Sequence, residues 1–183
     1  MTLILKASGY REGRWRNGLG VSWDIASEGG EDFSWRMALA RLEADVPFSA
    51  YPGIDRVFTI IAGGCVMLDV EGLGQIDARL LRPVHFPGDR ATSCRLVAGP
   101  CRALNLFVKR QAYSSDVSVT RHDKGDELQL PHLGLTFIID GQATIDGDEL
   151  EGGDTVVTDS PAMIRCHVGS TLWRATLAAA NTD

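Results

Sequence analysis

The sequence predicts an all-β protein in which two small jelly-roll β-barrels are fused in one chain. Three observations support this prediction. Apolar runs of about five to ten residues recur along the chain, for instance at 56–62 and 135–140. Glycine is abundant, at 20 residues, and turn signals such as Gly63-Gly64 separate the runs at short intervals. The runs also follow a weak internal repeat. Many short strands divided by regular turns are typical of sandwiches and barrels.

The apolar runs divide into two sets of predicted strands. In the first part of the chain they are 19–26, 33–42, 56–62, 65–70, 77–81, 94–98 and 102–109. In the second part they are 117–121, 135–140, 142–146, 154–158, 162–167 and 171–178. The segment 36–44 could also form a helix, but Phe33, Trp35, Met37 and Leu39 alternate onto one face, which favours a strand.

The internal repeat relates the two sets of strands. "VFTIIAGGCVML" resembles "LTFIIDGQATID", "FPGDRATSCRLVAG" resembles "EGGDTVVTDSPAMIRCHVG", and "LNLFVKR" resembles "LWRATLA". Both halves give strand, Gly turn, strand, Gly-Asp turn, strand, strand. This order is typical of a cupin, the RmlC-like jelly-roll barrel. We therefore expect a bicupin with an N-terminal barrel, 1–112, that carries the ligand site, and a C-terminal barrel, 113–183.

The composition excludes several classes of partner. The net charge of −6 comes from interspersed acids and bases, which argues against a nucleic-acid-binding face. The first residues hold too short an apolar run for a signal peptide, and no run approaches the ~20 apolar residues of a membrane helix. The four cysteines form no C-x-x-C motif and are predicted to be reduced. We expect a cytoplasmic protein; its oligomeric state is open, with a homodimer among the options.

Three stretches carry a family resemblance. "WRNGLGVSWDIA", "SWRMALARLEADVPFSAYPGIDRVFTIIAGG" and "VHFPGDRATSCRLVAGPCRALNLFVKR" resemble the HutD/Ves family of bicupins, in order and with the family's spacing. The resemblance implies a small-metabolite binder with a regulatory or accessory role in histidine utilisation or stress responses, and N-formylglutamate is the natural candidate ligand. Ala103 stands where the family tends to have Asp, and Val46 alters an Asp-Gly pair, so ligand preference could differ.

The cupin frame gives Arg56 a functional position. A metal-binding cupin carries His-x-His, then Glu, then six residues, then Gly. Counting back from Gly63 places Arg56 at the Glu position and Ser49 and Tyr51 at the two His positions. A guanidinium repels a metal cation but binds a carboxylate through two parallel hydrogen bonds. We therefore predict no metal and no cofactor, and an anionic ligand at Arg56. In the second repeat Gly134 takes the Glu position, so that barrel is expected to hold no metal and no polar site.

A second arginine could share the anion. Arg36 alternates away from Trp35 and Met37 and has small neighbours, so Arg36 and Arg56 could clamp a dicarboxylate. The alternative is a buried ion-pair network in which these arginines pair with Asp55 and Asp89.

Four further side chains are candidate helpers. Asn17 either contacts the ligand or forms the Asn-Gly turn of a hairpin. Asn105 lies between two leucines, so its amide must bond either backbone or a ligand. Asp89 either caps a turn or holds an arginine in position. His85 either lines the pocket or is a half-buried strand residue.

The sequence therefore predicts a metal-free bicupin that binds a small anionic metabolite and serves as a sensor or accessory in amino-acid catabolism. A metal-independent isomerase or hydrolase acting on a formylated or amidated amino acid is the alternative. It would need an acid–base group, and Tyr51, His85 and Asp89 are the candidates. A third option is an interaction protein whose barrel is filled with side chains.

Overall fold

The computed structural model describes residues 1–15, 18 and 20–180, and nearly all regular structure in this part of the chain is β-strand. Short 3₁₀ turns at Ala7–Gly9 and Gly30–Asp32 are the helical segments of the described residues. The all-β prediction is confirmed. The described residues contain no helix with the length and apolar character needed to span a membrane. The chain divides into an N-terminal unit, residues 11–114 with Ala179 and Ala180, and a C-terminal unit, residues 1–10 and 115–178.

The larger sheet of the N-terminal unit has six antiparallel strands. They are β2 (Arg11–Arg14), β3 (Val21–Glu28), β4 (Trp35–Leu42), β6 (Ile54–Gly63), β9 (Val84–Pro87) and β11 (Cys101–Lys109). Their order is β2-β3-β4-β11-β6-β9. β4 covers the segment for which a helix was the alternative, so the strand prediction is confirmed there.

The smaller sheet of the N-terminal unit has four strands. They are β5 (Val46–Pro47), β7 (Val66–Val70), β8 (Gly74–Ala78) and β10 (Thr92–Leu96), in the order β5-β10-β7-β8. Both sheets contribute to one buried apolar cluster, the interior of this barrel, which includes Ala40, Leu42, Phe58, Ile60, Leu68, Phe86, Cys94, Cys101 and Ala103. Side chains alternate along a strand, so even-numbered residues of β4 and β6 and odd-numbered residues of β11 face this interior.

The C-terminal unit repeats the two-sheet plan. Its strands are β1 (Thr2–Leu5), β12 (Tyr113–His122), β13 (Glu127–Leu130), β14 (Gly134–Asp140), β15 (Gln142–Ile145), β16 (Asp148–Glu151), β17 (Thr155–Thr158), β18 (Ala162–Cys166) and β19 (Ser170–Ala179). The sheets have the orders β1-β17-β14-β19-β12 and β13-β18-β15-β16. Their shared interior includes Leu130, Ile138, Ile145, Val156, Ile164, Cys166 and Leu172.

The first ten residues belong to the C-terminal unit, whereas the sequence analysis placed them in the N-terminal barrel. β1 pairs with β17 from Thr2↔Thr158 to Leu5↔Thr155, so the start of the chain completes a sheet whose other strands come more than a hundred residues later. Ile4 packs against the interior of this barrel. A four-residue edge strand has too little periodicity of its own to reveal its partner.

The internal repeat is present in the strand register. Ile60 lies opposite Ala103 on β6 and β11, and Ile138 lies opposite Leu172 on β14 and β19. Both pairs of strands carry a register shift at this same point. The structural match therefore pairs Ala103 with Leu172, one residue away from the match of "LNLFVKR" with "LWRATLA". A shift of one residue exchanges the two faces of a strand, which changes the side chains that face the interior.

Candidate functional site

A row of charged and aromatic side chains crosses the interior face of the N-terminal barrel. Arg36 on β4 lies opposite Phe107 on β11, Phe107 lies opposite Arg56 on β6, and Arg56 lies opposite Phe86 on β9. Directly opposed residues share a face of the sheet, and Phe86 belongs to the interior cluster. Both arginines therefore point into the barrel, as the alternation in the sequence predicted.

Arg56 is buried, at 6% exposure, and three aromatic rings surround its guanidinium. The guanidinium carbon lies 4.6 Å from the ring centre of Phe48, 4.8 Å from that of Phe107 and 5.2 Å from that of Phe86. Cations are attracted to the faces of aromatic rings at such distances. Phe48, Phe86 and Phe107 were not among the predicted site residues; Phe107 shares a face of its strand with Asn105, and that alternation is the signal that could have identified it.

The hydrogen bonding of Arg56 is incomplete. Its Nη2 donates to Oδ1 of Asn105 at 2.8 Å, which gives the buried Asn105 amide its partner. Its Nε is buried and has no hydrogen-bond partner among the described residues. Within that part of the chain no carboxylate lies within 4.0 Å of the guanidinium, although two acidic neighbours were its partners in the alternative ion-pair network. Burial lowers the pKa of Arg56 to about 10, against an opposing influence from Tyr51. Among the described residues, Arg56 is thus a buried cation without a counter-ion.

The alternative, in which Arg56 pairs with Asp55 or Asp89, is not supported among the described residues. Both carboxylates bind Arg110 instead, with Nη2 of Arg110 at 2.6 Å from Oδ1 of Asp55 and Nη1 at 3.2 Å from Oδ2 of Asp89. The Arg110 hydrogen bond holds the pKa of the Asp89 carboxyl below its ordinary value. Asp55 alternates onto the opposite side of β6 from Arg56, and Asp89 is exposed, so neither can reach the interior.

Arg36 has a partner that the sequence did not indicate. Its Nε donates to Oδ1 of Asp24 on β3 at 2.9 Å, and its Nη2 contacts the same oxygen. The side chains are 26% and 35% exposed, so this ion pair is open to solvent. The Arg36 guanidinium also lies 5.9 Å from the ring centre of Phe107, the ring that Arg56 contacts. Asp24 stands alone among apolar residues in "VSWDIA", which is the signal that could have identified it.

The loop between β5 and β6 brings the two predicted neighbours to the site. Tyr51 packs its ring 5.1 Å from Phe107, and its backbone N–H donates to the Gly88 carbonyl at 2.7 Å. Ser49 precedes it in this loop and is half-buried. A Cβ on Gly88 would lie 2.9 Å from the Ile54 carbonyl oxygen and 3.1 Å from Cγ of Arg56. Gly88 therefore allows the loop to close over the Arg56 stem.

Two other predicted residues are not brought to this cluster. His85 lies opposite Val57, on the face of β9 that points away from Phe86, and it is exposed. The expectation that it lines the pocket is therefore not supported, because adjacent residues of a strand point to opposite sides. Asn17 lies outside the described residues.

Metal ligation and thiol chemistry are not evident at the site. Among residues 1–15, 18 and 20–180, no three His, Cys, Asp or Glu side chains come close enough to hold a metal ion. Absence of a metal stays a prediction. Burial raises the pKa of Cys94 to about 12 and that of Cys101 to about 11, so both interior thiols are protonated at neutral pH. Protonated thiols are poor nucleophiles.

A cleft of about 460 Å³ lies in the N-terminal unit beside this cluster. Its lining includes Trp15, Trp23, Arg41 and Val46. The Trp15 ring meets Phe48 edge-on, with the ring centres 6.0 Å apart, and Phe48 in turn contacts Arg56. Aromatic contacts therefore connect the cleft to the buried guanidinium.

The interior of the C-terminal barrel is not free of polar groups, contrary to expectation. Arg174 lies opposite Thr136 and shares the face of Leu172 and Ile138, which belong to the interior cluster. The match of "LNLFVKR" with "LWRATLA" is one residue out of register, so it did not place Arg174 in the interior. Gly134 does stand where Arg56 stands in the first barrel.

The fold and these two interiors define a bicupin, and comparison with known proteins agrees. A model of the HutD family matches residues 7–175, and the chain belongs to this family. Protein Ves of Citrobacter koseri is 32% identical over 145 residues, 76% of this chain and 73% of Ves. A 21.2 kDa protein of Pseudomonas putida, from the hutC 3′ region, is 31% identical over 113 residues, and the match spans only 60% of either chain.

Solved structures show the same architecture. HutD from Pseudomonas fluorescens SBW25, in a structure described as a formate condition, superposes with a TM-score of 0.82 at 25% identity over 99% of this chain and all of that one. PA5104 of Pseudomonas aeruginosa PAO1 gives a TM-score of 0.86 at 22% identity, over 97% of this chain and 98% of that chain. A Leptotrichia buccalis protein with a cupin 2 conserved barrel domain gives 0.60 at 12% identity, over 86% and 88% of the chains. The latter two likenesses concern the fold alone.

Proposed function

We propose that the N-terminal barrel binds a small carboxylate metabolite through Arg56, and that binding serves a regulatory or accessory role in amino-acid catabolism. N-formylglutamate or a related intermediate of histidine degradation is the candidate ligand. The association of the family with histidine utilisation and the hutC neighbourhood of the Pseudomonas putida relative support this choice.

The observation that carries the proposal is the buried Nε of Arg56, which has no hydrogen-bond partner among the described residues. A buried donor without a partner costs about 1–3 kcal/mol, and a buried charge without a counter-ion costs more. A ligand carboxylate would accept hydrogen bonds from the guanidinium fork and supply the missing negative charge. The surrounding rings of Phe48, Phe86 and Phe107 exclude water, which strengthens that interaction.

Arg36 supports a ligand with two acidic groups. Its guanidinium and that of Arg56 contact one ring, Phe107, from adjacent strands. The Arg36–Asp24 pair is partly exposed, and exposed ion pairs contribute little free energy, so a second carboxylate could replace Asp24.

No specific observation favours the enzyme alternative. Of its three acid–base candidates, His85 and Asp89 are exposed and away from the Arg56 cluster, and Tyr51 remains beside it. Binding without turnover is therefore the function that this geometry supports best.

Isothermal titration calorimetry tests the proposal with sodium formate, N-formylglutamate, glutamate, urocanate and histidine. We expect N-formylglutamate to bind more tightly than formate because it can engage Arg36 as well. Arg56→Lys keeps the charge but loses the planar fork, so affinity should fall by about tenfold to a hundredfold. Arg110→Lys is the matched control, since it alters a surface arginine of the same unit and should leave affinity unchanged.

Two results would contradict the proposal. Unchanged carboxylate affinity in a folded Arg56→Lys protein would place the ligand site elsewhere. Conversion of N-formylglutamate during incubation, followed by proton NMR and abolished by Tyr51→Phe, would favour the enzyme alternative.

A further inference from the structure

A second guanidinium in the molecule is without a described partner, and it lies in the other barrel. Arg174 on β19 faces the interior side of its sheet together with Leu172 and Ile138. Its Nε is buried and has no hydrogen-bond partner among the described residues. Within those residues it also forms no ion pair, although the same unit contains carboxylates that pair with Lys6, Arg165 and the chain's amino terminus.

The strand register shows how the two barrels place their arginines. Arg174 lies opposite Thr136 as Asn105 lies opposite Phe58, and Gly134 occupies the position of Arg56. The guanidinium of the second barrel therefore comes from the neighbouring strand, at the position of the amide that binds Arg56. Each barrel thus directs one arginine into its interior at an equivalent place in the fold. The two arginines come from neighbouring strands of the shared plan.

The surroundings of Arg174 are polar where those of Arg56 are aromatic. Thr176 and Thr158 stand at the positions of Phe107 and Phe86, and both lie opposite Gly134 on its two neighbouring strands. Thr136 is buried at 1% exposure directly opposite Arg174. Threonine hydroxyls donate hydrogen bonds to oxyanions, whereas aromatic rings do not. The Thr158 hydroxyl already donates to the Pro131 carbonyl at 2.7 Å, so Thr136 is the buried hydroxyl that remains for an anion.

We infer that the C-terminal barrel carries a second anion site, in which Arg174 binds a small oxyanion, a carboxylate or a phosphate. Nε and a terminal nitrogen of Arg174 donate to two oxygens of the anion in the bidentate arrangement typical of arginine. The Thr136 hydroxyl is placed to donate to the same anion. Arg174 is half-buried, so the anion reaches the exposed part of its side chain from solvent, and the side chain must then turn for the buried Nε to pair with it. This inference does not depend on a ligand at Arg56, because the two arginines belong to different barrels.

The test follows the arginine Nε–H signals of the full-length protein by ¹⁵N–¹H NMR. Sodium formate and sodium phosphate are titrated separately, and ionic strength is held constant with sodium chloride. We expect a saturable downfield shift of the Arg174 Nε–H with at least one anion and a dissociation constant on the order of millimolar, as for a single solvent-accessible cation. The two titrations distinguish a carboxylate site from a phosphate site. An Arg174 signal that stays in place with both anions overturns the inference.

Matched variants assign the signal and separate the two barrels. Arg174→Lys should remove the shifting signal and weaken binding at this site by about tenfold, whereas Arg56→Lys should change it by less than about twofold. Arg165→Lys, an exposed arginine of the same barrel, is the control for general charge effects. If Arg174→Lys does not fold, the wild-type titration still decides whether Arg174 binds an anion. If only the Arg56 signal shifts, the Arg174 site is overturned and the Arg56 site is supported. If only the Arg174 signal shifts, the Arg174 site is supported and the Arg56 site is overturned.

Discussion

The two barrels each bury a charged side chain, but they satisfy it differently. Asp154 of the C-terminal unit is 1% exposed, and its oxygens accept hydrogen bonds from Lys6 Nζ at 2.8 Å and from the backbone N–H groups of Ala7 and Glu151 at 3.0 Å. Arg56 of the N-terminal unit is 6% exposed, has one side-chain partner, and leaves Nε unbonded among the described residues. One buried charge is fully paired and the other is not.

Under the proposed function, this difference separates a charge that stabilises the fold from a charge that binds a ligand. A buried carboxylate with a complete set of donors stabilises the fold, and its removal leaves those donors unpaired. A buried guanidinium without a counter-ion opposes folding, and under the proposed function a bound anion pairs with it. The same reasoning extends to Arg174, which resembles Arg56 rather than Asp154.

The largest expected effect is the loss of stability in Asp154→Ala. The substitution strands the N–H groups of Ala7 and Glu151 and detaches β1 from its anchor at Lys6. We expect the C-terminal unit to lose about 1–3 kcal/mol of unfolding free energy, because both stranded N–H groups belong to exposed residues and are only partly buried, and a fully buried unpaired donor costs about 1–3 kcal/mol. Hydrogen–deuterium exchange resolves the two units, and faster exchange should be confined to β1, β14 and β17. Unchanged exchange there would show that the paired charge is not structural.

The corresponding change at the unpaired charge should affect binding rather than folding. Arg56→Met removes a buried cation and keeps an apolar stem among the three rings, so relief of burial offsets the lost Asn105 hydrogen bond. The unfolding free energy should change by less than about 1 kcal/mol, in either direction. Carboxylate affinity should fall by about tenfold to a hundredfold. A sharp fall in stability with affinity unchanged would mean that Arg56 braces the barrel.

The sequence predicted the fold and the position of Arg56, because both depend on local patterns. Alternation along β4 and β6 determines which side chains face the interior, and a count from Gly63 places Arg56 at the ligand position of the cupin frame. Pairing across the molecule was not predictable in this way. Arg110 is 55 residues from Asp55, and Asp24, 12 residues before Arg36, contacts it across a register shift between β3 and β4, so spacing alone connects neither pair. Arg174 was missed because the match of "LNLFVKR" with "LWRATLA" is one residue out of the register that the strands adopt.

Acid should reduce the stabilisation that Asp154, the paired charge, gives to the fold. It should not change the contribution of Arg56, the unpaired charge. Burial opposes ionisation of Asp154, but the Lys6 and backbone hydrogen bonds outweigh it and hold its pKa below the ordinary value. A carboxyl with a depressed folded pKa stabilises the protein above its unfolded pKa, and this contribution is lost as pH falls through the folded pKa. The stability difference between wild type and Asp154→Asn should therefore shrink below about pH 4.

Urea unfolding of both proteins across this range, followed by exchange in the C-terminal unit, measures that difference. Arg56 provides the contrast, since its pKa of about 10 lies far above the acid range. Wild type and Arg56→Met should therefore keep a constant difference from neutral pH down to about pH 3. The stability difference from wild type could instead vary equally with pH for Asp154→Asn and for Arg56→Met. That result would mean that the acid effect arises from groups other than Asp154.

The smallest expected effect concerns Arg110, and it separates the two explanations of the N-terminal site. If Asp55 and Asp89 had been partners of Arg56, they would belong to the binding site; instead they hold Arg110 at the surface. The Arg110 side chain is 46% exposed, and ion pairs of this kind are screened by water and salt. Arg110→Ala should therefore shift the melting temperature by no more than about 2 °C, a shift that high salt removes. Carboxylate affinity should stay within about twofold of wild type.

A loss of affinity as large as that of Arg56→Met would show that the surface pair positions the loop holding Tyr51. The site would then include the Asp55–Arg110–Asp89 network, and the division between paired and unpaired charges would no longer separate structure from binding.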